Sequence, residues 1–493
     1  TLQLYVSLPQ GKLDQPYQVL AAFNKTDEIG PGQTTKIDLS FCLSDIASYD
    51  PTCERYVLEE GKYVLRLGTS SKNTTVIGGI QIDETVTVRK VKNLLGDPGF
   101  VDYKPEAITD KISDVDYLKF DSSSISLQEV TYDKPCDIDR SFAEGLSDEE
   151  LAYLVVGGFD PEGGFLSVIG NASMSVAGAA GETTGLLKEK GIKPVVMADG
   201  PAGVRISKDY IVRDGKVLSL GLSIPETMQE YIPKIGLLLM KIAGNKPRKG
   251  EQIRHQYCTA IPIGTAIAQS WNTSFARICG EIVGDEMERF GVHLWLAPAL
   301  NIHRDIRCGR NFEYYSEDPL ISGMMSAAIT NGVQAHKGCG VTIKHFCANN
   351  QETNRYNSNS RVSERAMREI YLKGFEICVK NSSPASVMTS YNLLNGTHTS
   401  ESGPLIRNIL RDEFGFEGIV MTDWIVNGGT VDKTSVYPAP EAWKVVNAGG
   451  DLFMPGGKPD YDVVLSAVKD GRVTREQLIT NAARVINYSN MVR

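Results

Sequence analysis

The stretch Glu417-Gly418-Ile419-Val420-Met421-Thr422-Asp423-Trp424 decides the fold. Three apolar residues in a row and then a threonine read as a strand buried on both faces. The strand ends abruptly in a carboxylate and a large aromatic, and polar, glycine-rich sequence follows at Asn427-Gly428-Gly429-Thr430. A buried parallel strand with a charged side chain at its C-terminal end is how a β/α barrel presents a reactive group. Taken alone, Asp423 could equally cap the next helix. Other strands weigh against the cap.

Val195-Val196-Met197-Ala198 ends in Asp199-Gly200-Pro201, and His293-Leu294-Trp295-Leu296 leads to Arg304 and to Gly309-Arg310-Asn311-Phe312-Glu313. Val341-Thr342-Ile343 ends in Lys344-His345-Phe346, and Ser386-Val387-Met388 leads to Ser390-Tyr391-Asn392. Lysine, arginine and histidine are poor helix caps. Two aspartates, several cations, a histidine and two aromatics brought to one face suit a polyhydroxylated ligand. Charged groups hydrogen-bond strongly to hydroxyls, and Trp or Tyr rings cover the apolar face of a sugar.

Working outward, strands alternating with helices begin at Leu146-Ser147-Asp148-Glu149-Glu150, with helices expected at Arg361–Lys380 and Pro404–Glu413. Alternation on this scale predicts an α/β fold with a TIM-like (β/α) barrel over residues 146–493. Residues 206–255 fit no barrel repeat and read as an insertion over one face. Residues 1–90 carry short β-rich runs at Leu2–Ser7, Gln18–Phe23, Thr34–Leu43, Lys62–Gly68 and Gln81–Arg89, separated by turn signals. Five strands predict an immunoglobulin-like or fibronectin-III-like sandwich lacking its first strands, since about seven are usual. Its unpaired edge would then need covering from outside the chain. Residues 91–145 lack periodicity and read as a surface connector. The chain opens inside a strand, at Thr1-Leu2-Gln3-Leu4-Tyr5-Val6-Ser7, as one piece of a longer polypeptide would.

Composition bounds the class. The chain has 493 residues, 42% hydrophobic and 23% charged, in the range of a globular protein with a large core. A net charge of −9 without a basic stripe argues against nucleic acid. The apolar run Ile235–Met240, flanked by Lys234 and Lys241, is too short to span a bilayer. The nine cysteines are spread singly, which suits free thiols and a cytoplasmic, reducing location, with Cys42 and Cys53 the one pair that could bridge. Seven Asn-x-Ser/Thr triplets, Asn171-Ala-Ser among them, match too short a pattern to overturn that. No cofactor is called for, and histidines without metal-ligand spacing imply no metal site. Arg365 and Glu369, four apart on one helix, read as a structural pair. The Gly178–Gly185 stretch lacks a phosphate-loop ending and reads as a lip over the pocket.

These motifs also carry a resemblance. Met-Ala-Asp199-Gly-Pro-Ala-Gly-Val-Arg205, Gly-Arg310-Asn-Phe-Glu-Tyr-Tyr-Ser-Glu-Asp318-Pro, Lys344-His345-Phe, Ser-Tyr391-Asn and Val-Met-Thr-Asp423-Trp424 resemble the barrel domain of glycoside hydrolase family 3, in order. The N-terminal part is similar, more loosely, to the fibronectin-III-like domain of β-glucosidases in that family. The resemblance implies that Asp423 is the nucleophile of a retaining β-glycosidase. Asp199, Arg205, Arg310, Lys344, His345, Tyr391 and Trp424 would hold the terminal sugar, with Met388 beneath. Asp199 would accept hydrogen bonds from outer hydroxyls, and the neighbouring cations would keep both aspartates ionised. The alternatives are a plain rim ion pair for Glu313 and Arg310, a satisfied rim histidine for His345 and plain core for Tyr391.

The resemblance further implies an acid/base glutamate on an α/β-sandwich domain, for which no segment of this chain matches. A second chain or fragment is therefore expected to supply it, and a homo-oligomer is possible. A branch of the family uses a histidine instead, but its Asp-x-His signature does not follow Lys344-His345. The reading is an exo-acting β-glucosidase, acting on small saccharides or aryl β-glycosides. The alternatives are a β-xylosidase or related pentosidase, and a non-catalytic carbohydrate-binding remnant.

Overall fold

A computed structural model describes residues 1–106, 115–158, 175–183, 185–220, 233–234, 244–427 and 436–492. The Asn171 triplet, Thr184, the apolar run at 235–240 and Gly428-Gly429-Thr430 lie outside the described residues.

The described residues between 146 and 492 include the barrel. Parallel pairing joins Val196–Ala198, Leu294–Trp295, Gly340–Phe346, Ser386–Thr389 and Ile419–Met421 in that order. Parallel bridges then carry the wall from Met421 to Leu452 and from Phe453 to Val156. A short strand at Gly181–Glu182 runs antiparallel to Val196–Ala198 and completes the wall. Gly181–Glu182, within the glycine-rich stretch, thus belongs to the barrel wall where the sequence suggested a lip over its mouth. Both it and the Val156 segment are too short and glycine-rich to show a period.

Side chains alternate inward and outward along these strands. Val195, Met197, Leu294, Leu296, Met388, Ile419, Met421, Leu452 and Met454 fill the interior. Val196, Trp295, Val341, Ile343, Val387 and Val420 face the surrounding helices. The same phase carried two residues further brings Asp199, Lys344 and Asp423 to the interior face at the C-terminal mouth.

Two stacked sheets form the sandwich. One runs Val19–Asn24, Leu2–Ser7, Gly61–Ser70, Asn73–Ile82, Tyr117–Phe120, and the other Ser48–Asp50, Arg55–Leu58, Val86–Lys90, Gln128–Glu129. Seven of these strands lie within residues 1–90, not five. Thr34–Leu43, expected as a strand, is irregular and mostly exposed. Leu2–Ser7 is paired on both sides, so the expected open edge is absent there. The connector contributes the two remaining strands, each parallel to its neighbour. Ser48–Asp50 and Arg55–Leu58 are too short to register as periodic, and pairing across the chain decides them.

The sandwich docks on the helical segment Glu364–Ser382, which starts later than expected and contains a wide turn at Met367–Tyr371. The guanidinium of Arg368, 2% exposed, donates to Glu364 (2.8 Å), Glu413 (2.7 Å) and Lys92 O (2.6 Å), and lies 4.9 Å over the Tyr49 ring. Arg365 pairs with Glu369 (3.0 Å) as expected, and also with Asp14 of the sandwich (2.9 Å). Within the insertion, Asp209–Arg213 and Lys216–Ser219 form a hairpin around Asp214-Gly215, both at positive φ as a two-residue turn requires. All nine cysteines are free, so Cys42 and Cys53 form no bridge.

Candidate active site

The loop after Val196–Ala198 is held tightly. Arg205 N donates to Asp199 O (2.8 Å), and the buried Trp295 indole donates to Gly200 O (2.8 Å). Gly200 has φ +118°, and a Cβ there would sit 2.1 Å from Gly203 O, so only glycine fits. The loop therefore presents Asp199 in a fixed direction. Its Oδ1 accepts from Lys344 Nζ (2.9 Å) and its Oδ2 from Arg205 Nη2 (2.8 Å). Burial works against the charge of Asp199, but Lys344, Arg205 and Arg310 outweigh it and hold the carboxyl well below its usual range. It stays an anion, as a hydroxyl-binding group should.

Asp423 is 7% exposed. Its Oδ1 accepts from Trp424 N at 2.6 Å. Its Oδ2 is buried, lies 3.7 Å from His345 Nε2, beyond hydrogen-bond distance, and makes no hydrogen bond of ordinary length and angle among the described residues. Burial pushes the Asp423 carboxyl above its ordinary value, against the pull of Arg310, Arg355 and Lys344. The cations therefore act on both aspartates as expected, but they outweigh burial at Asp199 and only partly offset it at Asp423. A cation's pull falls with distance, whereas loss of water acts on the whole group.

His345 is fully enclosed. Asn301 Oδ1 accepts from its backbone N (2.8 Å) and lies 3.3 Å from Nδ1, while Asn301 Nδ2 donates to His345 O (2.9 Å). Burial, with Arg310, Lys344 and Arg355 adding to it, keeps the imidazole neutral. Tyr391 donates to Trp424 O (2.7 Å), and burial, followed by the Asp423 charge, holds its hydroxyl protonated. The Trp424 indole donates to Ala180 O (3.0 Å), on the residue before the antiparallel strand. Below it, Met388 and Met454 belong to the interior apolar cluster against which the ring packs. Arg310 donates through Nε to Glu313, so the rim ion pair exists, and it faces Asp423 all the same.

The structure thus gathers Asp199, Arg205, Arg310, Lys344, His345, Met388, Tyr391, Trp424 and Asp423 around one mouth. It adds one group that the sequence reading passed over. The Arg355 guanidinium lies 4.3 Å over the Tyr391 ring and is, after Arg310, the strongest cation acting on Asp423. The signal was the polar run Asn349-Asn350-Gln351-Glu352, too rich in side-chain hydrogen bonders for a plain connector.

Asp199 clamped by two cations, Asp423 with one oxygen bonded and the other unbonded among the described residues, and a tryptophan beside them stand at the C-terminal mouth, where (β/α) barrels carry their active sites. Comparison with known proteins agrees. The chain belongs to glycosyl hydrolase family 3: the family's N-terminal domain matches residues 236–488, more than half of the sequence. A fibronectin type III-like domain matches residues 1–71. β-Glucosidase A of Butyrivibrio fibrisolvens is 32% identical over 519 residues, covering 97% of this chain and 54% of that protein. An exo-α-(1→6)-L-arabinopyranosidase of Bifidobacterium breve is 36% identical over 323 residues, 65% of this chain and 36% of that protein. The crystal structure of a β-glucosidase from Paenibacillus barengoltzii is 29% identical with a TM-score of 0.75, and the match covers 99% of this chain and 51% of that one. The chain spans about half the length of these two β-glucosidases.

Proposed function

We propose that the chain carries the sugar-binding and nucleophilic half of an exo-acting retaining β-glycosidase, with terminal non-reducing β-D-glucosyl residues as substrate. The observation that carries the reading is Asp423 Oδ2, a buried carboxylate oxygen without a hydrogen bond among the described residues, with Arg310, Arg355 and Lys344 acting on it. Such an atom costs stability and persists where it has chemistry to perform. In the first step Oδ2 attacks C1, the C1–O bond to the aglycone breaks, and a general acid protonates the departing oxygen. In the second step, water deprotonated by the same group attacks C1 and releases Asp423. Positive charge developing on the sugar ring favours the anion of Asp423, offsetting the burial that otherwise raises its pKa.

The acid would stand about 5–5.5 Å from the nucleophile. The described carboxylates around the mouth fill that role poorly: Asp199, Glu313 and Glu352 are each paired with a cation. This supports an acid/base glutamate on a second chain or fragment carrying an α/β-sandwich domain. The experiment is a series of aryl β-glucosides of graded leaving-group pKa, assayed with residues 1–493. The rate should fall steeply as the leaving group becomes more basic, for want of a proton donor. A flat dependence with full turnover would show that the chain holds its own acid.

The similarity to an arabinopyranosidase favours a second reading, a pyranosidase for pentoses. The rate ratio between matched aryl β-glucosides and β-xylosides separates the two.

A further inference from the structure

Two arginines act on Asp423, and each is itself held by a carboxylate. Glu313 holds Arg310 within one loop. The second case reaches further. Glu352, with its side chain 19% exposed, places Oε2 2.9 Å from Arg355 Nη1, whose side chain is 12% exposed. Its Oε1 accepts from Asn349 Nδ2 at 3.2 Å, and that amide also reaches the Tyr314 hydroxyl at 3.3 Å. Glu352 thereby ties the loop after Gly340–Phe346 to the loop that carries Arg310, and its charge is felt by Arg310, Tyr314 and Cys308. An exposed pair three residues apart contributes little. This one is largely shielded, and its arginine has a defined place over the Tyr391 ring.

We propose that Glu352 is a positioning residue of the site: it fixes Arg355 over Tyr391, so that the guanidinium charge faces the reacting carboxylate Asp423. The proposal rests on the reading of Asp423 as nucleophile. The groups facing Asp423 are Arg310, Lys344, Arg355, His345 and Tyr391. Among the described residues Glu352 bonds to Arg355 and Asn349 and not to Asp423, while Arg355 lies over the Tyr391 ring beside it. Loss of the Glu352 charge by itself would make Asp423 ionise more readily. Loss of Arg355 from its place would do the opposite, so the sign of the effect tells the two apart.

The test is a pH titration of the full chain by difference infrared spectroscopy, following the protonated carboxyl band that disappears in Asp423→Asn. Glu352→Ala should move the Asp423 midpoint up by about one pH unit. The isosteric Glu352→Gln, which can still accept from Arg355, should move it less. Arg355→Ala should show the full shift, and Glu352→Ala added to it should add none. An unchanged or lowered midpoint in Glu352→Ala, or additive shifts in the double variant, would overturn the proposal. The band is read without turnover, so a failure here is separable from a failure of the glycosidase reading.

Discussion

At the scale of single residues, the two aspartates of the mouth are opposites, and their substitutions should behave as opposites. Asp423 has a raised pKa in the folded chain, so folding favours its protonated form. The stability this brings is present below the unfolded value of 3.8 and is lost as pH rises through the folded value. Asp423→Asn should therefore melt higher than the wild type at pH 7, with the difference vanishing below pH 4, in calorimetric scans across that range, while glycoside cleavage falls about 10⁴-fold or more. Asp199 is lowered by Lys344, Arg205 and Arg310 acting against burial, so its contribution is present above its unfolded pKa and disappears only at strongly acidic pH. Asp199→Ala leaves the 4%-exposed side chain of Lys344 unpaired and should cost about 3 kcal/mol in denaturant unfolding at pH 7. It should also weaken sugar binding. These residues could be read from sequence because each follows a buried strand in the same inward phase. Arg355 could not, because it stands on a loop with no period to give it a direction.

Among the elements, the antiparallel strand Gly181–Glu182 ties the barrel wall to the site. A Cβ on Gly181 would meet Met454 Cε at 3.0 Å and Trp424 Cζ2 at 3.2 Å, so the missing side chain is the space the indole occupies. Gly181→Val should displace Trp424, cost about 1–3 kcal/mol in thermal unfolding, and change the quenching of tryptophan fluorescence by glucose. Retained stability with unaltered quenching would show that the ring does not depend on this strand. Unbroken apolar runs such as Val195–Ala198 and Ile419–Met421 identified the parallel strands from sequence alone. Gly181–Glu182 and the Val156 bridge are fixed by closure of the barrel, a long-range condition that two or three residues cannot announce. For the same reason the strands at Tyr117–Phe120 and Gln128–Glu129 looked like connector.

For the whole molecule, the sandwich and the barrel are fastened by buried charge, the cluster around Arg368 at its centre and the Arg89–Glu376 pair beside it. Arg368 meets Glu364 and Glu413, and Glu364 also accepts from Leu94 N (3.2 Å) and Leu95 N (2.9 Å). Arg368→Met would strand two carboxylates and should cost about 3–5 kcal/mol, separating one cooperative melt into two in differential scanning calorimetry. A single transition shifted only slightly would mean that the remaining contacts, Arg89–Glu376 and Arg365–Asp14 among them, suffice to join the two parts. The family and the order of domains were legible in the motifs; of the docking surface only the Arg365–Glu369 pair was, because Asp14, Glu413 and Lys92 O lie far in sequence from the arginines they bind. The central claim concerns one oxygen atom at the mouth of this assembly. It is tested most directly by incubating the chain with dinitrophenyl 2-deoxy-2-fluoro-β-glucoside, whose leaving group departs without a proton, and mapping the labelled peptide by mass spectrometry. A single fluoroglucosyl adduct on Asp423, abolished in Asp423→Asn, is the expected result; an adduct on another residue, or none in the wild type, would contradict the account.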